Sequence, residues 1–266
     1  MKIGFIGTGN MGGALARAAA KGGHTLLLAN RTPAKAEALA QELGGTVCPN
    51  AQAAEAAELL FLGVKPQGLP GLAGELAPVL QARKGNAPVV VSMATAVTLR
   101  ELDAMLGGGL PLIRIMPNTP AAVGAGTILY AAQNVTDAQL NAFRAVLAQA
   151  GLLLPLPEAQ IDAASAISGC GPAFCFQFAD ALALGGVRAG LSYPDACRLA
   201  AQTMLGAAEM LLQGGEAPDV LKMRVCSPAG TTIEGVLALE QGGFSYTVQN
   251  AVTAAYRRTV EMTKKG

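Results

Sequence analysis

A glycine-rich loop near the start of the chain has the residue types and spacing that bind a phosphate. The loop is Gly7-Thr8-Gly9-Asn10-Met11-Gly12, and it joins the apolar run at residues 3–6 to a stretch with helical character. Gly7 permits a tight turn, Gly9 lets the backbone approach a pyrophosphate, and Gly12 lets helix and strand pack closely. The helix N-terminus adds free N–H groups and the positive end of its dipole. The loop therefore predicts a dinucleotide site.

The segment Asn30-Arg31-Thr32 indicates which dinucleotide is bound. Sites specific for NAD place a carboxylate at the end of the second strand to hold the ribose hydroxyls. Here Asn30 and Thr32 can donate hydrogen bonds to a 2′-phosphate, and Arg31 can pair or stack with it. The segment favours NADPH, with NADH left open as a second cofactor. The alternative is that Arg31 is a solvated residue at the start of a helix.

Two further loops follow apolar runs and are expected at the same edge of a parallel sheet. Val64-Lys65-Pro66 could place Lys65 against the phosphates or the nicotinamide ribose. In the loop Met116–Pro120, two prolines restrict the backbone and Asn118 could bring a polar group near the nicotinamide. The alternatives are a solvated lysine and a rigid turn.

The elements that must position these loops alternate between apolar runs and helix-like stretches. The predicted strands are Lys2–Gly7, Thr25–Asn30, Leu59–Lys65, Val89–Ser92, Leu112–Met116 and Thr127–Ala131. The predicted helices between them include Gly12–Lys21, Pro33–Leu43 and Thr98–Leu106. Alternation of this kind is typical of an α/β fold with a mostly parallel sheet covered on both faces, here a Rossmann domain over residues 1–157.

The pattern changes after Pro155 and Pro157. Residues 158–266 contain no convincing strand and are rich in helix formers, interrupted at Gly185-Gly186, Gly190, Gly214-Gly215 and Gly242-Gly243. Ser192 is a candidate N-cap, and Asp219 is an acidic residue in the first turn of another helix. The second domain is therefore predicted to be all-helical.

The composition restricts the partners. Only 14% of the residues are charged and 52% are hydrophobic, so part of the surface is expected to be buried between subunits. The net charge of +1 gives no reason to expect nucleic acid or an anionic membrane. The uncharged stretches Ile115–Thr136 and Ala163–Ala179 contain Pro, Gly and polar residues, so they are interpreted as buried soluble segments rather than membrane spans.

Five cysteines without CxxC spacing and the single His24 make no plausible metal set, so no metal is predicted. Reduced thiols and the absence of a recognisable signal peptide lead us to expect a cytoplasmic protein.

A second candidate site lies far along the chain. Ser227-Pro228-Ala229-Gly230-Thr231-Thr232 is a small, polar turn running into a helix, and such a turn presents backbone N–H groups that suit a carboxylate. Ser227, Thr231 and Thr232 add hydroxyls. The alternative for Ser227 and Thr231 is helix capping alone.

At these residues the chain resembles pyrroline-5-carboxylate reductase, over essentially its whole length. The most specific match is Val225–Ile233 followed by Gly235–Glu240; supporting matches are Ile167–Phe174, Val64-Lys65-Pro66 and Met116–Pro120. Ala229 stands where the family usually has glycine, and Cys170 where serine is common.

The resemblance implies that NADPH gives a hydride to the C=N carbon of Δ1-pyrroline-5-carboxylate, forming L-proline in the last step of proline synthesis. It implies that residues 227–232, with Ala229 and Gly230 among them, grip the substrate carboxylate. Thr232 is implied to hydrogen-bond near the ring nitrogen and is the candidate catalytic residue. Asn50 is implied to lie near the cofactor ribose, with a plain N-cap as the alternative. A homodimer with interlocked helical domains is also implied, and larger rings are left open.

Two other functions share part of this sequence pattern. A β-hydroxyacid dehydrogenase would need a lysine base in the second domain, but Lys222, Lys264 and Lys265 do not stand in the expected motif. A non-catalytic protein that senses NADP would keep the glycine loop without needing Ser227–Thr232.

Overall fold

The computed structural model describes residues 1–83 and 85–263. The strands within these ranges are β1 (Lys2–Ile6), β2 (Thr25–Ala29), β3 (Thr46–Val47), β4 (Leu59–Leu62), β5 (Val89–Ser92), β6 (Leu112–Met116), β7 (Gly126–Gln133) and β8 (Gly151–Pro155). The helices up to residue 168 are α1 (Asn10–Ala20), α2 (Pro33–Leu43), α3 (Asn50–Ala56), α4 (Leu69–Ala82), α5 (Leu99–Met105), α6 (Asp137–Leu147) and α7 (Glu158–Ser168). The remaining helices are α8 (Gly171–Arg188), α9 (Tyr193–Gly214), α10 (Pro218–Arg224), α11 (Thr231–Gln241) and α12 (Phe244–Thr263).

The strands form one sheet in the order β3-β2-β1-β4-β5-β6-β7-β8. All neighbouring strands are parallel except β6 and β7, which pair antiparallel. The prediction of a mostly parallel sheet is confirmed. Because β1, β2, β4, β5 and β6 run in the same direction, the loops that follow them share one edge, which is where open α/β sheets bind ligands.

Two apolar layers cover the two faces of the sheet. Successive residues of a strand point to opposite faces, so Ile3 and Phe5 of β1 join one layer and Ile6 joins the other. The Phe5 ring stacks on Phe61 of β4 at a centroid distance of 4.6 Å. Burial on both faces explains why these strands appear in the sequence as continuous apolar runs.

The chain divides into two compact units. One contains residues 1–169 together with the end of α12 from Tyr256, and the other contains Cys170–Ala255. α7 packs on β6 and β7 and belongs to the sheet unit. The boundary at 157/158 stays a prediction.

The second unit is helical, as predicted. Its helices α8 and α9 pack against each other, and the Tyr193 hydroxyl donates to Asp180 Oδ1 at 2.7 Å. Ser192 caps α9 by accepting from the Asp195 N–H, and Asp219 lies in the first turn of α10, both as expected. The buried apolar residues of this unit are only Ala183, Ala196 and Ala200 among those described. Large side chains such as Phe176, 70% exposed, lie on its surface.

Two expectations for the helical region require correction, and a third concerns residues that the structure does not describe. Gly185-Gly186 does not interrupt a helix, because α8 continues to Arg188; Gly186 packs closely against Ala196, where a Cβ would come within 3.1 Å. Ala163–Ala179 is not a buried segment in the single chain, since Ser165 and Ala166 are its only buried residues. Lys264 and Lys265 lie outside the described residues.

One stretch of the described residues, Glu158–Arg188, is long and apolar enough to cross a membrane by length and composition, with 6% of its most apolar window buried. Core helices of soluble proteins meet the same criterion.

Candidate functional site

The glycine loop follows β1 and begins α1 in the way the sequence predicts. Gly7 has φ +97°, a conformation that L side chains rarely adopt, and its N–H donates to Ala29 O at 2.8 Å. A Cβ on Gly7 would lie 2.5 Å from Gly63 O, because the loop after β4 passes directly beside it. The turn therefore requires glycine at position 7.

The other two glycines of the loop differ from each other in their surroundings. A Cβ on Gly12 would overlap Gly7 O, so this glycine allows α1 to begin against the turn. A Cβ on Gly9 would meet nothing within 4 Å, which leaves open space beside the backbone at the N-terminus of α1. Gly9 is also the N-cap of α1 and receives no side-chain cap. Open space beside uncapped N–H groups fits a pyrophosphate.

Asn30 joins the end of β2 to the glycine loop. Its Oδ1 accepts from the Thr8 N–H at 3.0 Å, and its Nδ2 donates to Thr32 O at 2.9 Å. The amide therefore holds the two loops in register, which the sequence did not reveal. The contact of Asn30 with the cofactor stays a prediction. The second hydrogen on Nδ2 could make that contact. Thr8 Oγ1 is buried and has no partner among the described residues.

Arg31 and Thr32 are exposed beside the N-terminus of α2. Thr32 is the N-cap of this helix, but its hydroxyl makes no capping hydrogen bond. The Thr32 hydroxyl and the Arg31 guanidinium are thus available to an anion, whereas Pro33 has no N–H and the Lys35 N–H donates to Thr32 O. This arrangement suits a 2′-phosphate better than a free diol, which a carboxylate would hold.

Asn118 makes two structural hydrogen bonds that the sequence did not predict. The residue is 7% exposed, its Oδ1 accepts from the Thr127 N–H at 2.8 Å, and its Nδ2 donates to Ser168 O at 2.8 Å. Asn118 therefore ties the loop after β6 to the last turn of α7. The predicted contact with the nicotinamide stays a prediction.

The loop after β4 and the start of α3 place the other cofactor candidates. β4 ends at Leu62, earlier than predicted, and Val64, Lys65 and Pro66 enter a short 3₁₀ turn at Pro66–Gly68, with Lys65 exposed. Asn50 is the first residue of α3 and not its N-cap, which is Pro49. Its Nδ2 donates to Glu75 Oε2 of α4 at 3.0 Å. The plain N-cap interpretation of Asn50 is therefore wrong.

In the second unit, Ser227–Thr232 forms an exposed turn that runs into α11. Gly230 is the N-cap of α11, and its N–H donates to Ser227 O at 3.0 Å. The hydroxyls of Ser227, Thr231 and Thr232 make no hydrogen bond within the described residues, so the capping interpretation of Ser227 and Thr231 is not supported. Three free hydroxyls next to the first N–H groups of a helix can bind a carboxylate.

The backbone of this turn explains two of its small residues. Ala229 has φ +53°, in the left-handed region that glycine adopts without cost. A Cβ on Gly230 would overlap Ser227 Oγ. A larger residue at position 230 would therefore displace the Ser227 hydroxyl, whereas position 229 accepts an alanine under strain.

Arg114 is a buried polar residue that the sequence analysis missed. It lies in the middle of β6, is 3% exposed, and binds Glu158 and Asp162 of α7. An arginine within the apolar run Leu112–Met116 was the available signal, since a buried cation needs carboxylate partners.

The remaining residues considered in the sequence are His24, the cysteines and Lys222. His24 directly precedes β2 and so lies at the edge of the sheet opposite the glycine loop. All five cysteines are free, and burial raises the pKa of the Cys48 thiol. Among the described residues, no group of three or more His, Cys, Asp or Glu could hold a metal ion. Lys222 is exposed in the last turn of α10.

Fold and glycine loop together define an oxidoreductase that binds a nicotinamide dinucleotide on a Rossmann sheet and carries a helical second unit. Two family models match the chain. Residues 158–262 match the model described as "Pyrroline-5-carboxylate reductase dimerisation". Residues 2–96 match the model described as "NADP oxidoreductase coenzyme F420-dependent".

Individual relatives extend the similarity to the whole chain. A pyrroline-5-carboxylate reductase of Synechocystis sp. is 42% identical over 81% of this chain and 79% of its own. The solved pyrroline-5-carboxylate reductase of Coxiella burnetii has a TM-score of 0.90 at 32% identity, covering 97% of both chains. The Plasmodium falciparum enzyme, solved with NADP bound, has a TM-score of 0.85 at 29% identity and covers 99% of both chains. The chain belongs to the pyrroline-5-carboxylate reductase family.

Proposed function

We propose that this protein reduces the C=N bond of Δ1-pyrroline-5-carboxylate to give L-proline, with NADPH as the cofactor. The observation that carries the proposal is the turn Ser227–Thr232, whose hydroxyls and helical N–H groups have no partner within the described chain. The names of the relatives support the substrate, and the NADP bound to the Plasmodium falciparum enzyme supports the cofactor.

The turn would hold the substrate by its carboxylate. Ser227 and Thr231 offer hydroxyls, and the first N–H groups of α11 offer the positive end of a helix dipole. Gly230 keeps the turn narrow, because its lack of a side chain leaves room for Ser227 Oγ. Fixing the carboxylate orients the planar ring, and orientation is a large part of the rate that an enzyme can supply.

Thr232 would hydrogen-bond the ring nitrogen through its hydroxyl, which accepts from the N–H of the protonated iminium or donates to the neutral imine. The cyclic imine can be protonated on nitrogen near neutral pH, and the iminium is already electrophilic. Threonine is a poor proton reservoir, so we assign Thr232 to hydrogen bonding and leave the proton to water. His24 stands at the other edge of the sheet, so it does not serve as the acid.

The first unit would hold the cofactor, which supplies the hydride when bound. The N–H groups of Gly9–Gly12 would take the pyrophosphate, and Arg31, Thr32 and the start of α2 would take the 2′-phosphate. Lys65 is exposed after β4 and is assigned to the phosphates or the nicotinamide ribose. NADH would lose the contacts at the start of α2, so it is the weaker cofactor.

The assembly is proposed to be a homodimer joined through the helical region. Only three apolar residues of the Cys170–Ala255 unit are buried among those described, so most of its apolar surface needs another partner. The dimerisation model matches 158–262, which includes the apolar stretch Glu158–Arg188. We therefore assign that stretch to a subunit interface rather than a membrane, in a cytoplasmic protein, with rings of dimers as a further stage. A stable monomer in sedimentation would overturn the assignment.

The assay that tests the function is oxidation of NADPH by pyrroline-5-carboxylate, with reduction of NADP⁺ by hydroxyacids as the rival reaction. Thr232→Ala should lower kcat by about 10- to 100-fold through loss of one hydrogen bond to a charged group. Thr203→Ala is the matched control, because the Thr203 hydroxyl bonds Leu199 O within α9. Unchanged turnover in Thr232→Ala would show that Thr232 has no role in the reaction. Turnover of hydroxyacids but not of pyrroline-5-carboxylate would overturn the proposed function.

A further inference from the structure

A cavity of about 340 Å³ lies in the first unit, where β7 and β8 end. β7 contributes residues 130–132, α6 contributes Leu140 and Arg144, and the segment Pro155–Pro157 forms the remaining wall. Sites for small molecules have volumes of about 300–1,000 Å³. The cavity is at the lower end of this range, so it has room for a small organic molecule.

The cavity lies at the edge of the sheet opposite the glycine loop. β7 runs antiparallel to β6, so Ala132 near the end of β7 pairs with Ile113 near the start of β6. Gly7 instead follows the end of β1, which runs in the same direction as β6. The cavity is therefore separate from the proposed cofactor site, and the proposed reaction uses none of its residues.

The cavity carries one positive charge that no carboxylate neutralises. Arg144 Nε donates to the Tyr130 hydroxyl at 2.8 Å, and Arg144 Nη1 lies 3.4 Å from Asn141 Oδ1. Within residues 1–83 and 85–263, Arg144 forms no ion pair. A guanidinium is always charged in proteins, and its planar fork matches the two oxygens of a carboxylate. Arg144 can therefore bind an anion.

Tyr130 adds a second hydrogen-bond donor beside this cation. Its side chain is 2% exposed, and its ring packs edge-on against Phe143 at a centroid distance of 5.3 Å, which fixes the position of the hydroxyl. The hydroxyl oxygen accepts from Arg144, so its own hydrogen is still available to donate. No acceptor for that hydrogen lies among the described residues. An anion bound to Arg144 would supply one.

The rest of the wall is apolar. Arg144 is the only charged residue that lines the cavity, and Leu140 and the segment Pro155–Pro157 give it an apolar surface. The prolines restrict the backbone of this segment, and the Leu156 N–H donates to Tyr130 O at 3.0 Å, so the wall is fixed against β7. A single cation in an apolar cavity suits a ligand with one negative charge and an apolar body.

We propose that this cavity binds a small monocarboxylate with an apolar body. The carboxylate pairs with the Arg144 guanidinium and accepts the hydroxyl hydrogen of Tyr130, while the body packs on the segment Pro155–Pro157. A phosphate dianion or a dicarboxylate fits less well, because its second charge has no cation in the cavity. The proposal does not depend on the proposed function.

The direct test is calorimetric binding of cyclohexanecarboxylate to the full chain at neutral pH. Two other ligands separate the charge from the apolar body: cyclohexanecarboxamide keeps the ring without the charge, and acetate keeps the charge without the ring. The carboxylate should bind at least about 10-fold more tightly than either, since the amide loses a hydrogen bond between charged groups and acetate loses the buried apolar surface.

Variants of the cavity test the two polar side chains. Arg144→Met should weaken binding of cyclohexanecarboxylate by about 10-fold or more, and Tyr130→Phe should weaken it by about 3- to 10-fold. Arg100→Met is the matched control, because Arg100 is an exposed arginine on α5 that does not line the cavity. The control should bind the carboxylate as the wild type does.

The turn Ser227–Thr232 is a second place where a carboxylate could bind. The double variant Ser227→Ala with Thr231→Ala removes two of its hydroxyls, and binding at the cavity should persist in that variant. The proposal is wrong if the wild type does not bind cyclohexanecarboxylate or binds the amide or acetate equally well. It is also wrong if Arg144→Met leaves binding unchanged or the double variant abolishes it. Failure to reduce pyrroline-5-carboxylate would overturn the proposed function and leave this proposal standing.

Discussion

Arg114 Nη2 lies 2.5 Å from Asp162 Oδ1, which joins the middle of β6 to the second turn of α7. Arg114 Nη1 lies 3.4 Å from Glu158 Oε1, and the same oxygen accepts from the Leu99 N–H of α5 at 2.6 Å. One buried cation therefore ties a strand to two helices. Asn118 fastens the other end of α7 through Ser168, so both ends of the helix are held against the sheet unit.

Replacing Arg114 by methionine should destabilise the protein strongly. Methionine keeps an unbranched, flexible side chain but has no charge, so Glu158 and Asp162 are left without their cation. Breaking a buried pair costs about 3–5 kcal/mol, and the 29% and 22% exposure of the carboxylates puts the expected loss near the lower end. Urea unfolding of the apoprotein measures it.

Arg17→Met serves as the control for that measurement, since its ion pair is about half exposed at both side chains. The control should lose far less stability than Arg114→Met. Equal losses in the two variants would show that burial of Arg114 does not determine its contribution.

Asn118→Leu should destabilise the protein because it leaves the Thr127 N–H and Ser168 O without their partners. The expected cost is about 1–3 kcal/mol, the penalty for a half-buried polar group left unpaired. Thermal unfolding without cofactor measures this structural part separately from any contact with the nicotinamide. Asn141→Leu is the matched control, as Asn141 is exposed on α6 and only accepts a 3.4 Å contact from Arg144. A wild-type midpoint temperature in Asn118→Leu would contradict the expectation.

Ala229→Gly should stabilise the turn Ser227–Thr232. Glycine removes a strain of about 1–2 kcal/mol that alanine has in the left-handed conformation. It also makes the unfolded chain more flexible, which lowers the free energy of unfolding by about 0.4–1 kcal/mol. The net gain is therefore between about 0 and 1.6 kcal/mol, without loss of turnover. Ala229→Val should do the opposite, since a β-branched residue is more strained at φ +53°.

Ala189→Gly is the comparison for that pair. Ala189 ends α8 with φ −85°, so glycine there brings only the entropic cost. If both alanine-to-glycine variants were destabilised alike, strain at Ala229 would be ruled out.

Glu101 should make stability sensitive to acid. Hydrogen bonds from the backbone N–H and the hydroxyl of Thr98, at 2.7 Å each, lower the pKa of this carboxyl. A carboxyl whose pKa is lower in the folded state contributes fully above its unfolded pKa. The contribution is lost as pH falls through the lowered value. Glu101→Gln should therefore flatten the decline of unfolding free energy between neutral pH and about pH 3.

A second helix of the chain allows the opposite substitution, from amide to carboxylate, to be tested. Thr136 and Gln139 form the same capping box at α6, with an amide in place of the carboxylate. Gln139→Glu should add acid sensitivity at that helix. The idea fails if Glu101→Gln and wild type lose stability in parallel as the pH falls.

Much of the first unit could be predicted because its physics is local. A strand buried on both faces is continuously apolar, as at Leu59–Leu62, and a turn with positive φ favours glycine, as at Gly7. The same local rules predict an anion-binding turn before α11, at Ser227–Thr232. They failed for β3 and β8, since β3 has two residues and both strands are largely exposed and lie at the edges of the sheet.

The parts that could not be predicted depend on contacts distant in sequence. Asn30 and Asn118 were read as ligands, yet their amides bind the Thr8 N–H and Ser168 O across the fold. Arg114 was overlooked because its partners lie 44 and 48 residues away.

The proposed homodimer would make folding of the Cys170–Ala255 unit depend on protein concentration, because few of its described apolar residues are buried within the single chain. A unit that must bury its faces against another copy gains most of its stability on association, so its midpoint temperature rises with protein concentration. At low concentration a newly made chain would expose side chains such as Phe176 until it met a second copy. Its survival in a cell would then depend on how soon that encounter came, relative to proteolysis.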